Sequence, residues 1–181
     1  EIRGAGNLLG AAQSGHIAAV GFGLYCQLLR RTIARLKGEK PPALVDVGLT
    51  LDFIDLSPGS ADSAAAACLP YDYIEEEAHR MLLHRRVAEA SSVKELRTLR
   101  AELADRYGKP PAAALRLLRL AELRVTAAAK RIGRIETRDS RIFLYRQRER
   151  VPLLTNGRLP RLAGKTSDEK LAAIFAALKN A

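Results

Sequence analysis

With 181 residues and 48% apolar side chains, the chain is long enough for one packed domain, or one domain plus part of another. It has no Trp and only nine Tyr and Phe, and its apolar side chains are chiefly Leu and Ala, which points to a helical, aliphatic core. Cys26 and Cys68 form no CxxC and no apolar run reaches ~18 residues, so a disulfide framework, a signal peptide and a membrane span are not expected, and a reducing, cytoplasmic setting is.

The net charge of +10 is unevenly spread. Residues 1–40 carry six Lys and Arg against two acids, residues 41–74 carry five Asp and no base, and residues 75–181 carry 24 bases against 13 acids. Such a pattern suits a polyanion or an acidic protein partner, and equally an ordinary solvated basic surface.

In chain order, residues 1–21 are rich in Gly and read as loop with short helical turns. A start at Glu1, inside such a segment, suggests an excised fragment. From Phe22 to about Lys37 the apolar spacing becomes helical, and Gly38 followed by "EKPP" ends it. This boundary divides the chain at residues 40/41. "LVDVGLTLDFIDL" alternates strictly, with Val45, Val47, Leu49, Leu51 and Phe53 on one side, and predicts a half-buried strand. "SPGSADSAAAACLP" reads as a flexible insertion.

Three helices are predicted next. The first spans roughly Glu75–Glu89, with Glu75, Glu76 and Glu77 near its positive end. The second opens at a Ser92…Glu95 capping box, presents Val93, Leu96, Leu99 and Leu103, and stops at Gly108 before "KPP". The third runs from about Pro111 to Ile132. Leu118, Ala121, Val125 and Ala128 form one stripe and Leu115, Leu120 and Leu123 lie off it, so packing on more than one side is expected. "RIETRDSRIFLY" predicts a hairpin turning at Asp139-Ser140. "VPLL", "TNG" and "RLPRL" suggest one or two short strands. A final helix begins at a second capping box, Thr166…Glu169, and buries Leu171, Ile174, Phe175 and Leu178. The expected fold is α+β: mainly helical with a small, mostly antiparallel sheet, preceded by a Gly-rich loop and helix.

No catalytic centre is visible in the fragment. "AGKTSDEK" has the Gly164-Lys165-Thr166 ending of a phosphate loop, but Leu159 stands where the motif needs its first glycine, so Thr166 is read as a helix cap. His79 and His84 are five apart and share no helix face as a zinc pair would, and no metal site is expected. The opening stretch combines Gly4, Gly6, Gly10 and Gly15 with Arg3, Asn7, Gln13 and Ser14. Freed main chain beside one guanidinium and one amide suits a loop that changes contacts as a neighbour moves, and it also suits an ordinary capped loop. In "AELADRYG", the spacing puts Glu102, Asp105 and Arg106 on one face. Asp105 stands at the helix end that disfavours an anion. Either a cationic partner across an interface or a local Glu102–Arg106 pair accounts for that face.

Two segments resemble a known family. "EIRGAGNLLGAAQSG" resembles the TRG motif that follows the last helicase motif in RecG helicases and transcription-repair coupling factors, and "HIAAVGFGLYCQLLRRTIARLKG" resembles the coupling-factor continuation. "PYDYIEEEAHRMLLHRRVAEASSVKELRTLRAELADRYGKPP" resembles the core of that family's C-terminal domain. The resemblance covers residues 1–40 and 69–133 well and is loose over 134–181. The 57–68 insertion departs from it, as does His84, which stands where an aromatic is usual.

The resemblance implies the C-terminal part of an ATP- and Mg-dependent double-stranded DNA translocase that displaces RNA polymerase stalled at a lesion and recruits excision repair. Residues 1–40 would end the translocase lobe. Arg3 and Gln13, in a loop shaped by Gly4, Gly6 and Gly15, would couple ATP hydrolysis to movement. Residues 41–181 would be a regulatory domain, itself without cofactor. Through Glu102, Asp105 and Arg106 it would dock in cis on an N-terminal UvrB-like module and mask the surface that binds UvrA. The alternative is a basic helical module that binds DNA through its Arg-rich helices and has no motor role.

Overall fold

The computed structural model describes residues 22–39, 41, 45–56, 63–147, 149–155 and 157–181. The chain divides into two compact units, residues 1–44 and 45–181. In the first, helix α1 spans Phe22–Leu36. Its end is a Schellman motif: the Gly38 N–H donates to the Arg35 carbonyl and the Glu39 N–H to the Ala34 carbonyl. Gly38 has φ of 70°, a conformation in which a residue with a Cβ is strained.

The second unit holds β1 (Gly48–Thr50), α2 (Glu77–Glu89), α3 (Val93–Tyr107), α4 (Ala112–Ala129), β2 (Ile132–Arg138), β3 (Arg141–Arg146) and α5 (Ser167–Lys179). The order in the sheet is β1-β2-β3. β2 and β3 are the expected antiparallel hairpin, with Asp139 and Ser140 both at positive φ (50° and 56°), the signature of a type I′ turn. β1 joins parallel to β2, with Leu49 opposite Ile135, so the sheet is mixed.

The burial alternation predicted for residues 45–53 is present, with Val45, Val47 and Phe53 buried and Asp46, Gly48, Thr50 and Asp52 exposed. Ladder pairing covers only Gly48–Thr50. The strand ends because Asp52 turns to a side chain: its N–H donates to Thr137 Oγ1 (3.1 Å) and its carboxylate accepts from the same hydroxyl (2.6 Å).

The N-terminal ends of α3 and α5 follow from sequence chemistry. Ser92 Oγ accepts the Glu95 N–H, and the Glu95 carboxylate reaches back to the Ser91 N–H instead of the cap residue's own. Thr166 and Glu169 form a full capping box, and Glu169 also accepts the Lys165 N–H (2.7 Å). Thr166 is thus a cap, as read. The chain enters this box through Gly164 (φ 114°), where a Cβ would come within 2.5 Å of the Glu169 Cβ.

Two apolar clusters fill the unit. One lies between the sheet, α5 and one side of α4, around Leu123, Ile135, Leu144, Leu171 and Ile174. The other joins α2, α3 and the other side of α4, around Ile74, Leu83, Leu96, Leu103 and Leu118. α4 is therefore covered on both sides, as its apolar breadth predicts, and no residue from Ala113 to Ala128 is exposed. It ends at Ala129, short of the expected Ile132, which opens β2. In α5, Leu171, Ile174 and Leu178 are buried as expected, whereas Phe175 is half-buried.

One expectation is overturned. The second half of the supposed flexible insertion is core: Ala66, Ala67, Cys68 and Leu69 are all buried. The Asp55 N–H donates to the Ala65 carbonyl and the Ala67 N–H to the Asp55 carbonyl, an isolated parallel bridge. Small side chains allow this segment to lie close to α4, where the buried Arg116 guanidinium donates to the Ala66 carbonyl and stands 3.5 Å from Asp168 of α5. Residues 57–62 lie outside the described set. The segments around 151–161 form bridges, Thr155 with Arg158 and Arg141 with Arg161, in place of the suggested strands.

Leu123 is fully buried in the first cluster. Leu123→Ala is expected to lower unfolding free energy by about 2–5 kcal/mol in urea titration of the chain, with the m-value unchanged; a loss below about 1 kcal/mol would show that α4 is not a two-sided wall.

Candidate functional site

The residues singled out on α3 lie beside α2. Both helices contribute to the second apolar cluster, on the same side of α4. Their direct polar tie is a fork: Arg86 Nη1 donates to Glu102 Oε1 and Nη2 to Oε2, both at 2.7 Å. Arg106, one turn beyond Glu102, adds a weaker pair at 3.5 Å. The Arg86 bonds hold the Glu102 carboxyl below its ordinary range and raise the guanidinium. Glu102 is thus the hub of an internal clamp, and the local Glu102–Arg106 pair read from spacing is only its lesser arm.

Asp105 and Arg106 are exposed at the end of the same helix. Aromatics brace that end. The Tyr73 hydroxyl lies 3.0 Å from the carbonyls of both Leu103 and Gly108, and its donated proton helps satisfy the frayed carbonyl end of α3. The Tyr73 and Tyr107 rings meet edge to face, with centroids 6.0 Å apart, and the Arg106 guanidinium lies over Tyr107 at 5.6 Å. Leu82, one turn before Arg86, is 54% exposed, and its neighbour Met81 is 67% exposed. The resulting face combines an ion-pair hub, the exposed charges of Asp105 and Arg106, and exposed aliphatic surface.

Nearby, His84 Nε2 accepts the Leu69 N–H at 3.3 Å. Burial, with Arg80 second, pushes its pKa down, so the ring stays a neutral acceptor. An aromatic hydrocarbon at this position would leave the Leu69 N–H without that partner. His79 pairs with Glu76 on the helix surface (3.1 Å). Among the described residues, no group of three His, Cys, Asp or Glu side chains is placed to hold a metal. Burial, then Asp55, pushes the Cys68 thiol up and away from thiolate chemistry. Arg3, Gly4, Gly6, Gln13 and Gly15 lie outside the described residues.

Sequence reasoning found Glu102, Asp105 and Arg106 but missed Arg86. That side chain sits in the basic pair "HRR", 16 residues upstream, and only the tertiary approach of α2 to α3 shows which Arg reaches Glu102. It also missed the groove of about 350 Å³ between α3 and α4, where Arg97, Arg100 and Arg119 rim a floor of Leu96, Leu115 and Leu118.

Residues 64–153, which hold α2, α3, α4 and the β2–β3 hairpin, match the family model of the TRCF domain. The chain belongs to the transcription-repair coupling factor family. It is 36% identical over 144 residues to the transcription-repair-coupling factor of Myxococcus xanthus, covering 80% of this chain and 11% of that protein. To the Escherichia coli K12 factor it is 37% identical over 136 residues, covering 75% and 11%. The chain thus spans about a tenth of the length of these relatives. A crystal structure of the C-terminal domain of transcription-repair coupling factor shares the fold, with a TM-score of 0.54 at 19% identity over 75% of this chain and 94% of that one. Among the described residues no helix is long and apolar enough to cross a membrane.

Because the folded-state pKa of Glu102 is depressed, its contribution to stability is present above the ordinary carboxylate range and is lost progressively as pH falls from that range through the lowered folded-state value. Glu102→Gln is therefore expected to cost about 1 kcal/mol at pH 7, given the half-exposed pair. Urea titrations across pH 7 to 3 should show that difference shrinking toward zero, and a difference independent of pH would contradict the clamp.

Proposed function

We propose that this chain is the C-terminal end of an ATP-driven double-stranded DNA translocase that acts in DNA repair at stalled RNA polymerase. Its folded domain is a docking lid. It rests in cis on a UvrB-like module and masks the surface that module offers to UvrA. The observation that carries this reading is the Arg86–Glu102 fork, which fixes the α2–α3 edge and leaves Asp105 and Arg106 exposed beside it. A preorganised charged face loses little side-chain freedom on docking. Its exposed ion pairs also give specificity more than affinity, which suits a contact that must release.

The helical arginines favour protein docking over the alternative of duplex binding. Arg97, Arg100 and Arg119 surround an apolar-floored groove and are accompanied by Glu122. A phosphate track calls for a continuous basic surface with a reading element, and neither an apolar floor nor a carboxylate in the rim serves that purpose. In this reading the opening Gly-rich segment, with Arg3 and Gln13, couples the ATP and Mg chemistry of the motor lobes to stepping, while the lid responds to the motor's state.

In the intact protein, Asp105→Lys with Arg106→Glu is expected to raise UvrA affinity by about five-fold or more, the size of an ordinary allosteric coupling, while Arg86 and Glu102 keep the domain folded. Unchanged UvrA affinity in a calorimetric titration would refute the lid. Separately, Arg3→Ala in the intact protein should bind ATP normally and fail to displace polymerase; normal displacement would exclude the coupling role.

A further inference from the structure

Among the described residues, one face of the sheet is covered and the other is open. Its covered face is aliphatic, carrying Ile135, Ile142 and Leu144 into the core beneath α4 and α5. The pleat sends the alternate residues to the other side. There, Tyr145 stands opposite Arg134, Phe143 opposite Glu136, and Arg141 opposite Arg138. Beyond β2, the described residues on this face are Gly48 and Thr50 of β1, whose side chains are small.

This placement is unusual for such an aromatic-poor chain. Both rings of the hairpin sit on the side away from the core, half-buried, among three exposed arginines, Glu136 and, at the turn, Asp139, which pairs with Arg138 at 3.6 Å. The guanidinium of Arg134 lies over the Tyr145 ring at 4.1 Å, and that of Arg138 over Phe143 at 5.5 Å. A concavity of about 330 Å³ lies on this face, lined by Thr50, Glu136, Thr137, Arg138, Phe143 and Tyr145. That volume is at the lower end for small-ligand sites. Glu136 is held in place by Arg134 (3.3 Å) and by the Tyr145 hydroxyl (3.3 Å).

We propose that this open sheet face binds unpaired nucleic acid, with bases stacking on the Tyr145–Arg134 and Phe143–Arg138 pairs. The chemistry favours that ligand over others. Flat π-surfaces and guanidinium planes on a sheet accept base faces whatever the sequence. Arg134, Arg138 and Arg141 outnumber Glu136 and Asp139, and their exposed guanidiniums are suited to phosphates running along the edge of the face. Glu136 repels a phosphate from the centre of the face and is placed to accept a hydrogen bond from an N–H of a stacked base. A duplex hides its base faces, so it gains only the charge term. An acidic peptide would likewise gain only charge, with no use for two ring faces. The site lies away from α2 and α3, and its assignment does not rest on the lid reading.

The test is fluorescence anisotropy of the 181-residue chain with a labelled ten-nucleotide oligothymidylate, the same length of oligouridylate, and a duplex of the DNA. The single strands should bind tighter than the duplex, and the tighter of the two distinguishes DNA from RNA as the source. Tyr145→Leu and Phe143→Leu should each weaken single-strand binding by roughly ten-fold, while Tyr145→Phe, which keeps the ring, should not. The salt dependence should have a log–log slope of about −2, near −0.7 for each neutralised phosphate. Arg134→Ala supplies a second variant should a leucine variant lose its thermal transition, and it too should weaken binding. Leucine variants that bind like the unaltered chain, a duplex bound as tightly as the single strands, or no single-strand binding at 150 mM salt would each overturn the assignment.

Discussion

A helix without a solvent-facing stripe must be covered on both sides, and α4 imposes that constraint on everything around it. Leu120, Leu123 and Ala127 enter the core under the sheet and α5, while Ala114, Leu118, Ala121 and Val125 enter the core under α2 and α3. Neither half buries its own apolar face without this shared wall. The wall also explains its buried charge. Arg116 sits where the acidic segment after β1 passes α4, and the Ala66 carbonyl and Asp168 supply the partners that a buried guanidinium requires. Loss of one of those partners would leave the charge stranded, so the small residues of 65–68 and the first turn of α5 are tied to α4 through one side chain.

A two-sided wall sets the helical edge and the sheet face on opposite halves of the domain. The helical edge carries its polar fork at Arg86–Glu102, where geometry is fixed by two short bonds, and next to it exposed charges and exposed aliphatics. The open face of the sheet carries rings and guanidiniums in register. The two differ in what they recognise. The first suits a protein surface with complementary charge, and the second suits planar bases.

Much of the fold was legible from local chemistry. The Schellman end at Gly38, the caps at Ser92 and Thr166, the I′ turn at Asp139-Ser140 and the two-sided breadth of α4 each depend on residues within a turn or two of one another. What escaped depends on distant partners. The alternation through residues 45–53 correctly gave burial but overstated pairing, because Thr137, 85 residues away, captures Asp52 and stops the ladder. "AAAAC" looks like a spacer until α4 and Asp55 are placed against it. Of the site, the face of Glu102, Asp105 and Arg106 was readable from helical spacing, whereas the fork needed the fold. That the hairpin's rings point outward was set by register, which a run such as "RIFLY" does not reveal by composition.

The central claim is that this domain is a releasable lid whose seat is also where UvrA binds. The most direct measurement is calorimetry of this chain added in trans to the isolated UvrB-like module of its own protein, with and without saturating UvrA. The account predicts one-to-one binding that UvrA abolishes by competition. A ternary complex with both bound at undiminished affinity, or no binding of the chain to the module at all, would contradict it.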